Sequence, residues 1–402
     1  MNKSNYFSGQ PLVSQLIKFL DREEINRTAK KAGSDRYYKK FRTYDHLVTM
    51  LMTVISGCSS LREISGLFLA CQGRIGHLGL KDFPRRSTFA EANSKRSSDV
   101  FAKIYQKLYR RYRSFLPDSR KSNLPVEDLY IVDSTTISLF SDVLRGVGRN
   151  PKEGKKKGGI KVHTMIHSRE DVPSLVRFSS AATHDHVFLK ELELKKGSFV
   201  VFDKGYVDYA RYASWDMEGV FFVTRQKENA VYESLEPFAV HQRDADRVME
   251  DGVISIDVKG SPLLLRRVYY YDHANDRIYE FLSNNFELEA TAIADIYRQR
   301  WQIEMLFKRL KQNFPLKYFL GESQNAIEIQ IWVALITQLI LLVIKGRITR
   351  RWAFSNMASF IRNHALTYIN LFKFLDNPDV KWDKLNMEDE SQLNIFETGP
   401  CY

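Results

Sequence analysis

The hydrophobic spacing of this chain changes twice along its length, and those changes limit the folds that it can adopt. Up to about residue 120, apolar residues recur at helical spacing, as in Tyr44–Phe68 and Thr88–Arg113. After a break at Leu116–Pro125, short β-rich runs begin, and helical spacing returns from about residue 290. The sequence therefore predicts a helical N-terminal region, then a mixed α/β sheet, then C-terminal helices.

Five β-rich runs define the predicted sheet. They are Asp128–Phe140, Gly159–Ser168, Pro173–Ala181, Gly197–Asp203 and Gly219–Arg225. Two candidate helices lie between the last three runs, which gives the order β-β-β-α-β-α-β of a mixed sheet. Further short strands follow, up to about residue 285.

No part of the sequence predicts membrane insertion or export. The apolar run Ile331–Ile344 is shorter than the roughly 20 residues that a membrane span needs, and it is predicted to be a buried core helix. No apolar signal-peptide segment follows Met1, and the three cysteines lie too far apart for a disulfide framework or a zinc site. A cytoplasmic protein is expected.

The excess of positive charge is confined to the first third of the chain. Residues 1–125 carry 24 Lys and Arg against 10 Asp and Glu, whereas residues 126–402 carry 36 against 38. Such an asymmetry indicates an N-terminal module for a polyanion, most often nucleic acid. A basic surface that only aids solubility is the alternative.

Two basic segments are candidates for contact with DNA. In Pro84–Arg96, four side chains are placed as in the second helix of a helix-turn-helix, namely Arg85, Arg86, Lys95 and Arg96. Thr88 with Glu91 three residues later predicts a capping box at the start of that helix. The glycine-rich basic loop Leu144–Lys161 suits a phosphate-contacting loop, with a surface hairpin as the alternative.

Two aspartates each follow a run of buried strand residues. Asp133 lies within the strand-like stretch "LYIVDSTTI" and Asp203 closes "SFVVFD". A carboxylate at such a place projects from a rigid base to the edge of an α/β sheet, where ligands commonly bind, although a turn or helix cap is the alternative for either one alone. Asp185 is a rival for the second position, but its surroundings favour a helix N-cap.

The stretch Ile296–Asn313 is predicted to form one helix with four polar residues on a common face. At 100° per residue, Tyr297, Arg300, Glu304 and Lys311 fall within about 60° of arc, beside an apolar stripe. The helix is expected to dock through that stripe and to hold the four polar groups at its rim. An ordinary amphipathic helix with a Glu304–Lys308 ion pair is the alternative.

Asp133, Asp203 and Glu304 are three carboxylates that a sheet and a docked helix could bring together. Hard oxygen ligands without histidine or cysteine select Mg²⁺ or Mn²⁺, and two such ions can promote phosphodiester chemistry. The neighbouring residues Tyr297, Arg300 and Lys311 would then contact DNA phosphates, as would Arg225 and Lys227 after the last strand of the sheet. His163 and His167 share a strand face, but no third metal ligand is evident.

These motifs closely resemble those of the DDE transposases of bacterial insertion sequences, in the family-four branch. That branch is marked by Tyr, two residues, Arg, three residues, Glu, six residues and Lys. The spacing of Tyr297, Arg300, Glu304 and Lys311 matches it, and "IVDSTT" and "VVFDKGY" resemble the two aspartate motifs. The resemblance covers about residues 125–350.

The resemblance implies a ribonuclease H-like catalytic domain over residues 123–225 and 286–350, interrupted by a β-rich insertion at 226–285. A helical DNA-binding domain would occupy residues 1–122, and C-terminal helices with an acidic tail residues 351–402. The enzyme would bind the inverted repeats at its transposon ends, cut them, and join the freed 3′-OH to target DNA. A hairpin intermediate is one route that the resemblance allows, and a dimer would pair the two ends. A nuclease without strand transfer and an inactive DNA-binding derivative remain alternatives.

Overall fold

Short helices form the N-terminal part of the chain in a computed structural model that describes residues 9–116, 124–138, 159–181, 183–316 and 318–378. Their bounds are α1 (Leu12–Ile17), α2 (Arg22–Lys31), α3 (Thr43–Ser56), α4 (Leu61–Ala70), α5 (Arg86–Lys95) and α6 (Asp99–Tyr112). The predicted helical run 44–68 is interrupted at Gly57, whose φ of +70° ends α3 in the left-handed conformation that glycine adopts at least cost.

The run predicted over 88–113 is also two helices, and its capping box does not form. Helix α5 begins at Arg86, so that Thr88 lies within its first turn, and the N-cap residue Arg85 makes no side-chain cap. Glu91 instead pairs with Lys95, at 2.7 Å. The prediction of a capping box was therefore wrong, because the helix starts two residues earlier than Thr88.

A buried histidine lies at the centre of these helices. His46 on α3 is fully buried, and its Nε2 lies 2.7 Å from the side-chain oxygen of Asn93 on α5. Aromatic rings surround the imidazole, with the centroids of Phe89 and Phe101 at 5.7 and 5.3 Å. Burial, with the positive charge of Arg96 nearby, lowers the pKa of His46 to about 3.

This burial predicts that acid destabilises the N-terminal helices. The pKa of His46 in the folded protein lies below its unfolded value of 6.5. The contribution of the neutral imidazole to the free energy of unfolding is therefore fully present above pH 6.5 and decreases as the pH falls toward 3. At pH 5, about 2 kcal/mol of unfolding free energy should be lost relative to pH 7. Hydrogen exchange of α3 amides, corrected for intrinsic rates, measures this loss. His46→Gln should flatten the pH dependence, whereas His77→Gln, at an exposed position, should not. An equal pH dependence in wild type and His46→Gln would contradict the assignment.

The middle of the chain forms a nine-stranded sheet. Its strands are β1 (Leu129–Ser138), β2 (Gly159–His167), β3 (Pro173–Ser180), β4 (Phe199–Val201), β5 (Phe221–Arg225), β6 (Glu233–Pro237), β7 (Val248–Val258), β8 (Ser261–Asp272) and β9 (Arg277–Ser283). They lie in the order β3-β2-β1-β4-β5-β9-β8-β7-β6. Strand β4 runs parallel to both β1 and β5, and the other neighbours are antiparallel. The mixed sheet predicted from the sequence is confirmed.

The two connections predicted as helices differ from each other. The second is an α-helix, α7 (Tyr209–Glu218), which Asp208 caps by accepting the Arg211 N–H. The first is a short 3₁₀-helix, Asp185–Glu191, whose N-cap residue His184 makes no side-chain cap. The prediction that Asp185 is an N-cap was wrong, because its carboxylate is used in contacts with β1 and β2.

The β-rich segment predicted as an insertion extends the same sheet. Strands β6 to β9 continue outward from β5 through the β5–β9 pair. The β7–β8 hairpin closes through Lys259 and Gly260, whose φ values of +54° and +85° fit a tight type I′ turn. The predicted insertion is therefore joined to strands β1 to β5 by backbone hydrogen bonds.

The C-terminal part of the chain is helical, as predicted. The helices are α8 (Ala290–Arg298), α9 (Trp301–Asn313), α10 (Gln324–Arg347), α11 (Phe354–Asn363) and α12 (Leu371–Asp376). Helix α10 is long and apolar enough to cross a membrane, but 94% of its apolar window is buried inside the protein. That burial agrees with the predicted core helix.

The chain forms two compact units. One comprises Met1–Pro117, Gln312–Gly321 and Asn325–Tyr402, and the other Asp118–Lys311 and Glu322–Gln324. Most of α10 thus belongs with the N-terminal helices, whereas the predicted catalytic domain extended to residue 350. Hydrogen bonds join the start of α10 to the N-terminal helices. Asn325 donates to the backbone carbonyls of Asn93 and Arg96 and accepts the Ser98 N–H.

Candidate active site

Four polar residues predicted on one helix lie across a break between two helices. Helix α8 ends at Arg298 and α9 begins at Trp301. Across the break, the amides of Arg300, Gln302 and Ile303 each bond to a carbonyl three residues back, at 3.0 to 3.2 Å, which is the tighter 3₁₀ pattern. The prediction of one continuous helix was wrong at this point. Tyr297 belongs to α8, Arg300 to the turn, and Glu304 and Lys311 to α9.

The apolar stripe of α9 is buried, as expected for a docked helix. Ile303 and Leu306 are fully buried, and Phe307 and Leu310 are less than a tenth exposed. Glu304 is one-third exposed at the side of that stripe. It pairs with Arg300 rather than with Lys308, so the alternative of a Glu304–Lys308 pair does not describe this helix.

Asp133 lies on β1, with both carboxylate oxygens engaged. Its Oδ1 accepts the backbone N–H of Ser134 at 2.8 Å, and its Oδ2 accepts from Arg300 Nη1 at 3.1 Å. Burial raises the pKa of Asp133 to about 6, and the charges of Asp203 and Glu304 act in the same direction. The Ser134 N–H and the Arg300 guanidinium oppose that rise. Asp133 therefore lies close enough to Asp203 and Glu304 to be affected by their charges.

Asp203 follows β4, the parallel neighbour of β1. Its Oδ1 accepts from Arg225 Nη2 at 2.7 Å and from the Tyr297 hydroxyl at 3.1 Å. Burial alone would raise the pKa of Asp203, but the bonds with Arg225 hold it below its ordinary value. Asp203 is therefore charged at neutral pH and faces a permanent cation.

Arg300 joins two of the predicted catalytic carboxylates. Its Nη1 binds Asp133, and its Nη2 binds Glu304 Oε1 at 2.5 Å. Burial lowers the pKa of Arg300, but the neighbouring Tyr297, Asp133 and Glu304 raise it above its ordinary value. The guanidinium is only 17% exposed, so solvent screens these pairs incompletely.

Tyr297 connects the two carboxylate–arginine groups. The guanidiniums of Arg225 and Arg300 each lie 5.8 Å from the centre of its ring. Burial and the charge of Asp203 raise the pKa of Tyr297, so its hydroxyl stays protonated and donates to Asp203. Hydrogen bonds thus link residues from β1, the end of β4, α8 and α9.

Lys311 contacts β1 two residues beyond Asp133. Its Nζ donates to Thr135 Oγ1 at 2.6 Å, and burial lowers its pKa. Because Thr135 and Asp133 are two residues apart on a strand, their side chains lie on the same face. Lys311 therefore places a positive charge beside the carboxylates.

Next to these residues is a cavity of about 490 Å³ that sequence reasoning missed. Arginines and aromatic rings dominate its lining: Arg225, Arg277, Arg298, Arg300, Tyr270, Tyr279, Phe281, Tyr297 and Trp301, with Asp272, Asn275 and Ala294. Trp301 is 59% exposed, which is unusual for so large an apolar ring. The signal in the sequence was too weak, since the lining depends on how β8 and β9 pair.

The basic residues predicted to contact DNA differ in exposure. Arg85, Arg86, Lys95 and Lys227 are exposed. Arg96 is 1% exposed, donates to the Phe41 carbonyl at 2.8 Å and lies over the Tyr38 ring. We therefore remove Arg96 from the predicted interface, because its guanidinium supports the N-terminal core. Most of the loop Leu144–Lys161 lies outside the described residues, as does the acidic tail beyond residue 378.

No metal-binding group is assembled among the side chains that the structure describes. There, no three His, Cys, Asp or Glu residues lie together in a way that could hold an ion. Arg300 lies between Asp133 and Glu304, and Arg225 holds Asp203. His163 binds Ser179 and His167 lies 3.4 Å from Asp128, so these two histidines have separate partners.

Comparison with known proteins gives matches to both parts of the chain. The transposase DDE domain family matches residues 124–340, a segment that contains Asp133, Asp203 and Glu304. A domain of unknown function (DUF4372) matches residues 8–81. A protein of Sinorhizobium fredii (strain NBRC 101917 / NGR234), named as transposase y4zB, is 30% identical over 272 residues, which is 66% of this chain and 73% of that protein.

Two further proteins are similar at lower identity. A protein of Synechocystis sp. (strain ATCC 27184 / PCC 6803 / Kazusa), named as a transposase for insertion sequence element IS4SA, is 26% identical over 63% of this chain and 70% of its own length. A piggyBac transposase synaptic complex with hairpin DNA, solved by cryo-EM, has a TM-score of 0.43 at 11% identity, over 92% of this chain and 84% of that one.

Proposed function

Because the chain belongs to the transposase DDE domain family, we propose that Asp133, Asp203 and Glu304 are its catalytic carboxylates. The protein is a DNA transposase, an enzyme that cleaves DNA and transfers strands, and divalent-metal dependence is general for this domain. The domain also implies a ribonuclease H-like fold, with which the strand order β3-β2-β1-β4-β5 agrees.

One observation carries the assignment of the carboxylates. A single guanidinium, that of Arg300, binds Asp133 and Glu304, which lie 171 positions apart in sequence. Asp203 is linked to the same group through Tyr297. Partly buried acids with cations around them are what a site for anionic substrates and divalent cations requires.

The chemistry of these side chains fits a divalent metal, although their present arrangement does not hold one. Carboxylate oxygens suit Mg²⁺ or Mn²⁺, and we propose that Asp133, Asp203 and Glu304 hold two such ions. When bound, such ions supply activation of the attacking oxygen and stabilisation of the leaving one. Arg300 would first have to leave the space between Asp133 and Glu304.

A DNA phosphate offers Arg300 an alternative partner. A guanidinium forms paired charge-assisted hydrogen bonds with phosphate as it does with carboxylate. Three residues lie beside the carboxylates, namely Tyr297, Lys311 and Arg225, and Lys227 follows β5. We propose that these four residues contact the phosphates of the DNA strand that is cut. The neighbouring cavity adds arginines for phosphates and aromatic rings on which an unstacked base can pack.

The remaining assignments concern DNA and the assembly. The spacing of Tyr297, Arg300, Glu304 and Lys311 supports membership of the family-four branch of insertion sequences. Arg85, Arg86 and Lys95 are exposed on or beside α5, and we propose that the N-terminal helices use them to bind the inverted repeats. Pairing two transposon ends requires at least two copies of the chain, acting on DNA in the cytoplasm.

Strand transfer in vitro tests the proposal. The full chain is incubated with Mg²⁺, a plasmid target and short duplexes carrying the DNA that flanks its reading frame. We expect cuts that leave a 3′-OH at the ends and joining of those ends to the plasmid, with neither product from Asp133→Asn. Cutting without joining would indicate a nuclease, and binding without cutting an inactive DNA-binding derivative.

A further inference from the structure

We propose that Asp185 is a positioning residue for Asp133, acting through Ser134 from the opposite face of the sheet. The inference rests on the proposed function, in which Asp133 is a catalytic carboxylate. It extends that function to Asp185, which lies outside both the spacing Tyr297–Lys311 and the two aspartate motifs.

Ser134 connects the two aspartates directly. Its backbone N–H donates to Asp133 Oδ1 at 2.8 Å, and its hydroxyl donates to Asp185 Oδ1 at 2.7 Å. The first bond fixes the rotation of the Asp133 carboxylate and leaves Oδ2 to face Arg300. The second bond, from the Ser134 hydroxyl to Asp185, holds Ser134 in place and so positions the N–H that Asp133 accepts.

The pairing of β1 with β2 shows that the two contacts lie on opposite faces. Ser134 is opposite His163 and Thr136 is opposite Lys161, so these four side chains share one face. Asp133 is opposite Thr164 and projects from the other face. Asp185 is therefore linked to Asp133 through the β1 backbone at Ser134.

A buried lysine holds Asp185 in place. Lys161 Nζ lies 3.2 Å from Asp185 Oδ1 and donates to the Thr183 carbonyl at 2.8 Å, and its side chain is 8% exposed. A lysine this deeply buried needs its carboxylate partner. The Asp185 side chain is 24% exposed, and the contacts of its Oδ1 with Ser134 and Lys161 specify the position of the carboxylate.

Asp185 also lies close to the second aspartate motif. A side chain at Gly205 would place its Cβ 3.7 Å from Asp185 Oδ2, and Gly205 is in the 3₁₀ turn Lys204–Tyr206 that follows Asp203. One carboxylate therefore contacts the segment after Asp133 and approaches the segment after Asp203. This location suits a residue that sets the relative position of the two.

The test separates the hydroxyl of Ser134 from the charge of Asp185. Ser134→Ala and Asp185→Ala should each lower the cleavage kcat by about 10- to 100-fold, with the KM for end duplexes within about twofold of wild type. Ser134→Thr, which keeps the hydroxyl, should restore most activity. Ser234→Ala is the matched control, since Ser234 is an exposed serine on β6, at the far edge of the same sheet. It should cleave normally.

A second variant guards against misfolding, and a second readout does not depend on catalysis. The double variant Asp185→Ala/Lys161→Met removes both charges of this ion pair. Its cleavage kcat should still be about 10- to 100-fold lower than that of wild type, for the same reason. Mn²⁺ titration of the DNA complex by electron paramagnetic resonance should show weaker binding in Ser134→Ala than in Ser234→Ala.

Three outcomes would overturn the inference. Normal cleavage by Ser134→Ala and the double variant would remove Asp185 from the mechanism. Parallel loss of DNA binding and cleavage would indicate a purely structural role. Full activity of Ser134→Ala with an inactive Asp185→Ala would make Asp185 a direct participant. Glu304→Gln in the same assay separates the two proposals, because its normal cleavage would refute the proposed function itself.

Discussion

Replacing Glu304 with glutamine is expected to reduce DNA cleavage by at least about 10³-fold while leaving the binding of end duplexes within about twofold of wild type. The amide keeps the size of the side chain but loses the negative charge that a divalent cation needs. It also removes one of the two carboxylates that Arg300 binds, at 2.5 Å. Asp133 remains a partner for Arg300, so the fold around the guanidinium should persist.

Single-turnover cleavage of labelled end duplexes measures the effect. Asp295→Asn is the matched control, because Asp295 is a carboxylate on the preceding helix that also pairs with an arginine, Arg298, at 2.7 Å. It should cleave at the wild-type rate. Cleavage by Glu304→Gln within threefold of wild type would exclude Glu304 from the mechanism.

The positions of the two aspartates could be predicted because each depends on local sequence. A run of apolar residues before Asp133, and another before Asp203, indicated buried strands. The strands β1 and β4 are parallel neighbours, which brings the two side chains to the same end of the sheet. Strand patterns also predicted most of the insertion, although not that it would extend the same sheet.

The exact role of Arg300 could not be predicted from helical spacing. A helical wheel assumes bonds between residues four apart, whereas the turn around Arg300 uses bonds between residues three apart. The sequence carries no proline or glycine at that turn to mark the break. The partners of Arg300, Asp133 on β1 and Glu304 on the next helix, are likewise not evident from helical spacing.

Arg96 and Asp185 show the same limit for single polar residues. The partners of Arg96 include the carbonyl of Phe41, 55 residues away, and Asp185 binds Ser134, 51 residues away. The local sequence predicted a DNA-contacting arginine and a helix cap, which are common roles of these residue types. Only tertiary structure shows which charged side chains have buried partners.

Replacing Arg300 with alanine is expected to have two opposite effects. In the absence of DNA, the affinity of the chain for Mn²⁺ should rise by about tenfold or more. A tenfold change in affinity corresponds to about 1.4 kcal/mol of binding free energy, and a positive charge a few ångströms away repels a cation by more than that. Cleavage should nevertheless fall by about 10²- to 10³-fold, because a phosphate contact is lost from the site. Electron paramagnetic resonance measures the first effect, and single-turnover cleavage the second.

The opposite signs of these effects make the test specific to Arg300. A residue needed only for folding would lower metal binding and cleavage together when removed. Arg298→Ala is the matched control, because Arg298 is two residues away, 58% exposed and paired with Asp295 instead of a catalytic carboxylate. It should leave the Mn²⁺ affinity of the DNA-free chain unchanged. Equal Mn²⁺ affinities of wild type and Arg300→Ala would show that the guanidinium does not compete with a cation for Asp133 and Glu304.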